Sequence, residues 1–322
     1  MSRRPVFIAG GLVTLLPLFT LIFLLFLYPG DPSANRTESR TVFGATYMTM
    51  NNPYYQVIDT QLRAEIEERG DILLTRDAAM DQNRQNEEIR ELIETGVQVI
   101  FLTPVEWDTA EDGLRAAAEA GIPVIVIDAP VRDADLAACS VLSDNYQAGV
   151  LCAEHLLSMR ESANILLLEH ITARSGAERI LGFLDTIQGR DGFTVAGSGE
   201  SDGQIENAMP VMEALLKAHP EADTVMALND PSAFGAMAAI QGAGLTDRFL
   251  VYGVDGSPEA KTLVRDGMMT ATCAQFPYRI ARTAVEQGYA AVNGGCTEHE
   301  IIIPVELLTK ENAAQFPETG WQ

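Results

Sequence analysis

From Thr41 onward the chain alternates short β-branched apolar runs with helical patterns, and that alternation restricts it to α/β layers built around parallel strands. The first unit shows the logic. Residues 42–46 read as a strand. Pro53 then opens a helix in which Ile58, Leu62 and Ile66 recur every four residues and form one buried stripe. Gly70 closes that helix, and Ile72, Leu73 and Leu74 begin the next strand. A second helix over 86–95 places Ile89, Leu92 and Ile93 on one face, ends at Gly96 and returns through a strand over 97–102. A third, over 114–120, ends at Gly121. The run 123–127 that follows is apolar without interruption, as a strand buried on both faces requires.

The same grammar repeats after Ser143, with strands expected over 165–168, 193–196, 224–228, 249–254 and 269–274 and helices between them. Two similar lobes follow from this repetition. Pro210 interrupts the helix expected over 204–217 and marks either a kink or a later start. Gly197, Ser198 and Gly199 read as a turn.

Ahead of the lobes stands an uncharged run of 24 residues, 5–28, which as a helix at about 1.5 Å per residue outspans a hydrocarbon layer of roughly 30 Å. Arg3 and Arg4 precede it, so the N-terminus is expected in the cytoplasm and everything past Gly30 outside. The run leads into Pro29-Gly30-Asp31-Pro32 rather than small residues of the A-x-A kind, which favours a retained anchor over a cleaved signal peptide. No cysteine precedes position 139, which excludes a lipoprotein anchor. Residues 1–30 are therefore read as a membrane anchor and 31–41 as a polar tether.

Charge and composition exclude more than they assign. The net charge of −23, from 45 acidic and 22 basic residues, would repel nucleic acid phosphates. A membrane segment also stands where a repressor would carry its DNA-binding helices. Cys139, Cys152, Cys273 and Cys296 are far apart with no C-x-x-C, so they read as buried thiols or one bridge, not a metal site. His155, His170, His219 and His299 show no ligand spacing, and there is no phosphate loop, nucleophile elbow or intact G-x-G-x-x-G. No enzyme, metal or cofactor is expected.

In open α/β sheets ligands bind beyond the carboxyl ends of the strands. Here those ends lead into Asn51-Asn52-Pro53-Tyr54-Tyr55, Asp128, Asn229-Asp230, Asp255-Gly256 and Gln275. Planar polar groups beside aromatics suit a sugar, whose hydroxyls donate and accept and whose C–H faces are apolar.

Taken in order, these stretches resemble the periplasmic sugar-binding family typified by the ribose-binding protein, whose effector-domain relatives include the LacI-type repressors. The resemblance spans about residues 42–310. It is carried by the Asn51–Tyr55 stretch, Gly121-Ile122-Pro123-Val124-Ile125 with Asp128, Ser143-Asp144-Asn145 with Gly149, and Ala177 and Arg179 with Gly182-Phe183. It continues through Asn229-Asp230 with Gly235-Ala236, Gly253-Val254-Asp255-Gly256 with Pro258, and Ala271-Thr272 with Gln275 and Pro277.

The resemblance implies a type I periplasmic binding fold with two Rossmann-like lobes and three hinge crossings. These fall near Ser143-Asp144, Gln275 to Pro277, and Ile303-Pro304-Val305. One lobe would comprise 42–143 with 276–304, and the other 144–275 with 305–322. It also implies that Asn52, Tyr54, Tyr55, Asp128, Arg179, Asn229, Asp255 and Gln275 line a sugar cleft. The aspartates would accept paired hydroxyls, Arg179 would donate, the amides would do both, and the tyrosines would pack on the ring.

Two departures argue against ribose itself. Ribose-type members usually carry arginine directly after the first aspartate, where this chain has Ala129, and an aromatic near Gly203. Trp107 and Glu106 could add to the rim, Asp144 and Asn145 read as hinge or capping groups, and Asp230 as a cap following Asn229. The expectation is a monomeric solute-binding body that presents a small sugar or polyol to an ABC importer. The alternative is a membrane-anchored sensor partnering a histidine kinase.

Overall fold

The computed structural model describes residues 40–322 apart from 297 and 318. The anchor segment 1–30 and most of its tether lie outside the described residues. Among the described residues no helix is long and apolar enough to cross a membrane.

Two six-stranded sheets organise the chain from Thr41 on. The first contains β1 (Val42–Tyr47), β2 (Ile72–Asp77), β3 (Val99–Leu102), β4 (Val124–Asp128), β5 (Cys139–Ser143) and β11 (Glu300–Ile303), in the order β11-β5-β4-β3-β1-β2. The second contains β6 (Ala163–Glu169), β7 (Phe193–Glu200), β8 (Thr224–Ala227), β9 (Leu250–Asp255), β10 (Ala271–Ala274) and β12 (Glu306–Thr309), in the order β12-β10-β9-β8-β6-β7. The two orders superpose strand for strand. All pairings are parallel except that of β12 with β10. The second lobe therefore carries one antiparallel edge. The chain passes between the sheets at 143–145, at 274–277 and at 303–306.

Helices cover both faces of each sheet. In the first lobe these are α1 (Pro53–Glu68), α2 (Gln82–Thr95), α3 (Glu111–Glu119) and the late helix α9 (Pro277–Val292), which packs back on α1. In the second they are α4 (Asn145–Met159), α5 (Arg174–Ile187), α6 (Ile205–Ala218), α7 (Asp230–Gly242) and α8 (Pro258–Arg265). Strand β4 is buried throughout because helices press on both of its faces. Ile125 and Ile127 join one core with Phe43 and Ile58, while Val124 and Val126 join another with Leu92 and Leu114. Gly96 ends α2 at φ 84°, the left-handed turn that its sequence position predicts.

One sequence expectation needs correcting. Gly197, Ser198 and Gly199 form no turn but continue strand β7 to Glu200. The glycines are needed for packing: a Cβ at Gly197 would stand 2.5 Å from the His219 ring and one at Gly199 2.4 Å from Val211. Pro210 leaves α6 assigned as one helix over its length, neither starting it late nor ending it. It stands in the second turn, so it removes a single intrahelical bond.

The four cysteines are free thiols. Cys139, Cys152 and Cys273 are buried and Cys296 is half-buried.

Candidate functional site

Asp128 ends β4 and Asp255 ends β9, strands that hold the same place in the two sheets. Both residues have positive φ, 70° and 136°, a conformation that costs on the order of 1–3 kcal/mol for a residue with a side chain. Both are 2 % exposed. Asp128 Oδ2 accepts from the Tyr55 hydroxyl at 3.1 Å and Asp255 Oδ1 from Gln275 Nε2 at 2.7 Å. Asp128 Oδ1 and Asp255 Oδ2 have no partner among the described residues. Burial pushes both carboxyls above the usual range. The nearby Asp230 raises Asp255 further, and the Arg179 guanidinium opposes the rise at both.

Arg179 is no surface arginine. It projects from α5 with 4 % exposure, donating from Nε to Asn145 Oδ1 at 2.9 Å and from Nη1 to the Leu228 carbonyl at 3.0 Å, with Nη1 3.8 Å from Asp255 Oδ1. Its position depends on α4 and α5 touching backbone to backbone. A Cβ at Gly149 would lie 1.8 Å from the Arg179 carbonyl oxygen, and one at Gly182 2.1 Å from that of Tyr146. Asp144 caps α4 through Gln147 N–H, whereas Asn145 also donates to the Asp128 carbonyl at 3.4 Å and so ties the first sheet to the arginine of the second lobe.

The start of α1 supplies the opposite wall. Asn52 caps it, accepting from Tyr54 N–H at 2.9 Å, which leaves its amide nitrogen free to donate. Tyr54 donates to Gln275 Oε1 at 3.3 Å, and the two tyrosine rings meet edge to face with centroids 5.6 Å apart. Both tyrosines thus enter the site through their hydroxyls. Asn229 caps α7 through Ser232 N–H and donates to the Gly203 carbonyl at 3.0 Å. Asp230 is therefore not the cap. It accepts from Ser257 N–H at 2.8 Å and Thr272 Oγ1 at 2.6 Å behind the cavity, where burial raises its carboxyl to about 6.

All eight residues singled out from the sequence line one cavity, whose free volume is about 30 Å³. His170, Ser175, Asp202 and Gln204 line it too, and the sequence reading missed them. Asp202 follows β7, which was cut four residues short by the glycines, and His170 follows β6; the strand-exit rule applied to the true strand ends finds both. His170 is buried without a hydrogen-bond partner among the described residues, and desolvation lowers its pKa toward the neutral ring. His170, Glu200 and Asp202 bring one donor atom each within 4.8 Å of the others, but Glu200 already accepts from Ile171 N–H at 3.3 Å.

Around the rim the lobes bond directly. Asn51 Nδ2 donates to Gln204 Oε1 at 2.9 Å and Glu206 Oε1 at 3.2 Å, and Trp107 N–H donates to the Thr172 carbonyl at 3.2 Å. The guanidiniums of Arg132 and Arg174 lie 5.1 and 5.4 Å from the centre of the Trp107 ring, which does not line the cavity. Behind the site, Gln322 donates to the Asp255 and Gln275 carbonyls, Lys261 holds Gln322 and the Gly320 carbonyl, and Trp321 meets Tyr54 edge to face.

A family model described as a periplasmic binding protein domain matches residues 43–296. The chain belongs to that family. As a periplasmic binding protein it binds a solute and is not an enzyme. It is 28% identical over 281 residues to the ribose import binding protein of Escherichia coli K12, covering 87% of this chain and 94% of that one. It is 26% identical over 271 residues to the D-apiose import binding protein of Actinobacillus succinogenes, covering 83% and 87%. Among solved structures it resembles an ABC transporter solute-binding protein of Mycobacterium smegmatis with bound glycerol. That match has a TM-score of 0.83 and 28% identity and covers 88% of this chain and 99% of that one. A second is the solute-binding protein of Bacillus halodurans C-125 with bound myo-inositol, at TM-score 0.81 and 26% identity, covering 86% and 96%. The two-lobed type I fold of this periplasmic binding protein is the one those structures share.

Proposed function

We propose that this protein captures a small polyhydroxylated solute, a sugar or polyol, between its lobes and presents it to an ABC importer. The observation that carries the reading is the matched pair of carboxylates, Asp128 from one lobe and Asp255 from the other. Each has one unpartnered oxygen on a single cavity, with a buried arginine beside them. Hydroxyls of one ring can donate to both, while Arg179, Asn52, Asn229 and Gln275 supply the remaining donors and acceptors. The relatives that bind or import ribose, D-apiose, glycerol and myo-inositol support a polyol of this size, and their description as importer components favours import over sensing.

In this reading residues 42–143 with 276–304 move as one body and 144–275 with 305–322 as the other, hinged at the three crossings between the sheets. Ligand favours the closed arrangement because only there do both aspartates reach it. The lobes stand outside the cytoplasmic membrane, tethered by residues 1–30 and the linker 31–41. Support for the tether is the 24-residue uncharged run behind Arg3 and Arg4.

Calorimetric titration of the full chain with pentoses, hexoses and polyols tests the function. A compound that binds and also compacts the protein in small-angle scattering supports it. A panel with no binder to a folded protein contradicts it.

A further inference from the structure

Acidic side chains outnumber basic ones on the cavity. Asp128, Asp202 and Asp255 line it with carboxylates, and Arg179 is its one lining lysine or arginine. Arg179 is already committed, to Asn145, the Leu228 carbonyl and the neighbourhood of Asp255. Asp128 has no ion-pair partner among the described residues. The side chain of its neighbour Ala129 offers no donor, its side-chain hydrogen bonding comes from the tyrosine hydroxyls beside it, and its Oδ1 is buried with no partner among the described residues.

Resting on the sugar-like reading above, we infer that the ligand carries a basic nitrogen. It would be an amino sugar or an aminocyclitol, with its ammonium group against Asp128 and its hydroxyls against Asp255, Arg179 and Asn229. The physical reason is the cost of a buried, unpaired carboxylate. A neutral hydroxyl relieves that cost by one ordinary hydrogen bond, whereas an ammonium supplies both the bond and the opposite charge. Charge-assisted hydrogen bonds outlast neutral ones in such surroundings by enough to separate an amine from its hydroxyl parent by about tenfold in affinity. His170 does not redress the balance, because burial holds its ring toward the neutral form. The ring can instead accept a hydrogen bond, for which it has no partner among the described residues.

The test is calorimetric titration of the full chain with matched pairs: D-glucosamine and D-glucose, D-galactosamine and D-galactose, and scyllo-inosamine and scyllo-inositol. At least one amine is expected to bind about tenfold more tightly than its parent or better. Asp128→Asn, which removes the charge and keeps the shape, is expected to collapse that preference. Ala129→Arg, which puts a cation where the carboxylate now lacks one, is expected to reverse it. Should Ala129→Arg fail to fold at its buried position, Asp128→Asn decides alone. Neutral parents binding as tightly as or more tightly than every amine would overturn the inference and leave the sugar reading standing. Neither member of any pair binding would overturn the inference together with the reading on which it rests.

Discussion

Asp128 and Asp255 end equivalent strands of two superposable sheets, both in a backbone conformation that side chains resist and both with one carboxylate oxygen left unbonded. Strain and unmet hydrogen bonds at the same place in both lobes are what a site organised in advance for its ligand looks like. Stability is given up there for binding. Asp128→Asn should therefore stabilise the ligand-free protein, since it removes a buried charge and asparagine tolerates the left-handed conformation better than most residues. A gain of about 1 kcal/mol corresponds to roughly 1–2 °C in Tm for a protein of this size. Thermal unfolding without ligand measures it, and a fall in Tm would show that the carboxylate is needed for the fold itself.

The buried acids also predict how stability depends on pH. Asp230 titrates at about 6 in the folded protein against roughly 4 when unfolded, and burial raises Asp128 and Asp255 in the same direction. Between those two values the folded state binds more protons than the unfolded one, so this contribution to stability falls as pH rises through the window. Ligand-free Tm should accordingly rise as pH is lowered from 7 to about 5, before general acid unfolding sets in. Asp230→Asn should flatten that rise. A Tm that drops steadily from pH 7 downward would mean that burial does not raise these acids in the folded protein.

Helix packing fixes the arginine, which gives a third prediction. Gly149→Ala puts a methyl group into the backbone of α5 at Arg179, where no flexible side chain can yield. A loss of about 1–3 kcal/mol or more is expected in chemical denaturation, typical of overpacking. Ligand affinity should fall as well, although Gly149 does not line the cavity. Unchanged affinity in the folded variant would separate the α4–α5 contact from the placement of Arg179.

Much of this was legible in the sequence. The first lobe reads directly, because its helices carry clean apolar stripes and end at glycines such as Gly96, and its strands are continuous apolar runs. Seven of the eight residues that share the cavity sit at strand ends or at the starts of the helices that follow, where topology alone sends a ligand; Arg179, in the second turn of α5, is found only through the family resemblance. The second lobe reads less well, since β7 runs through two glycines that local propensity assigns to a turn and that only the packing of α6 explains. That misreading hid Asp202. Asn145 was read as a hinge or capping group because its partners, Arg179 and the Asp128 carbonyl, lie 34 and 17 residues away. Contacts across such distances have no local pattern.

The central claim is that one ligand is held by both lobes at once through Asp128 and Asp255. The measurement that tests it most directly is a calorimetric titration of the best-binding compound against the full chain and its Asp128→Ala and Asp255→Ala variants. Truncating either member of a buried, hydrogen-bonded polar pair costs on the order of 2–5 kcal/mol, so each variant alone should lose at least about thirtyfold in affinity. Full binding retained by either folded variant would place the ligand on one lobe only and contradict the account.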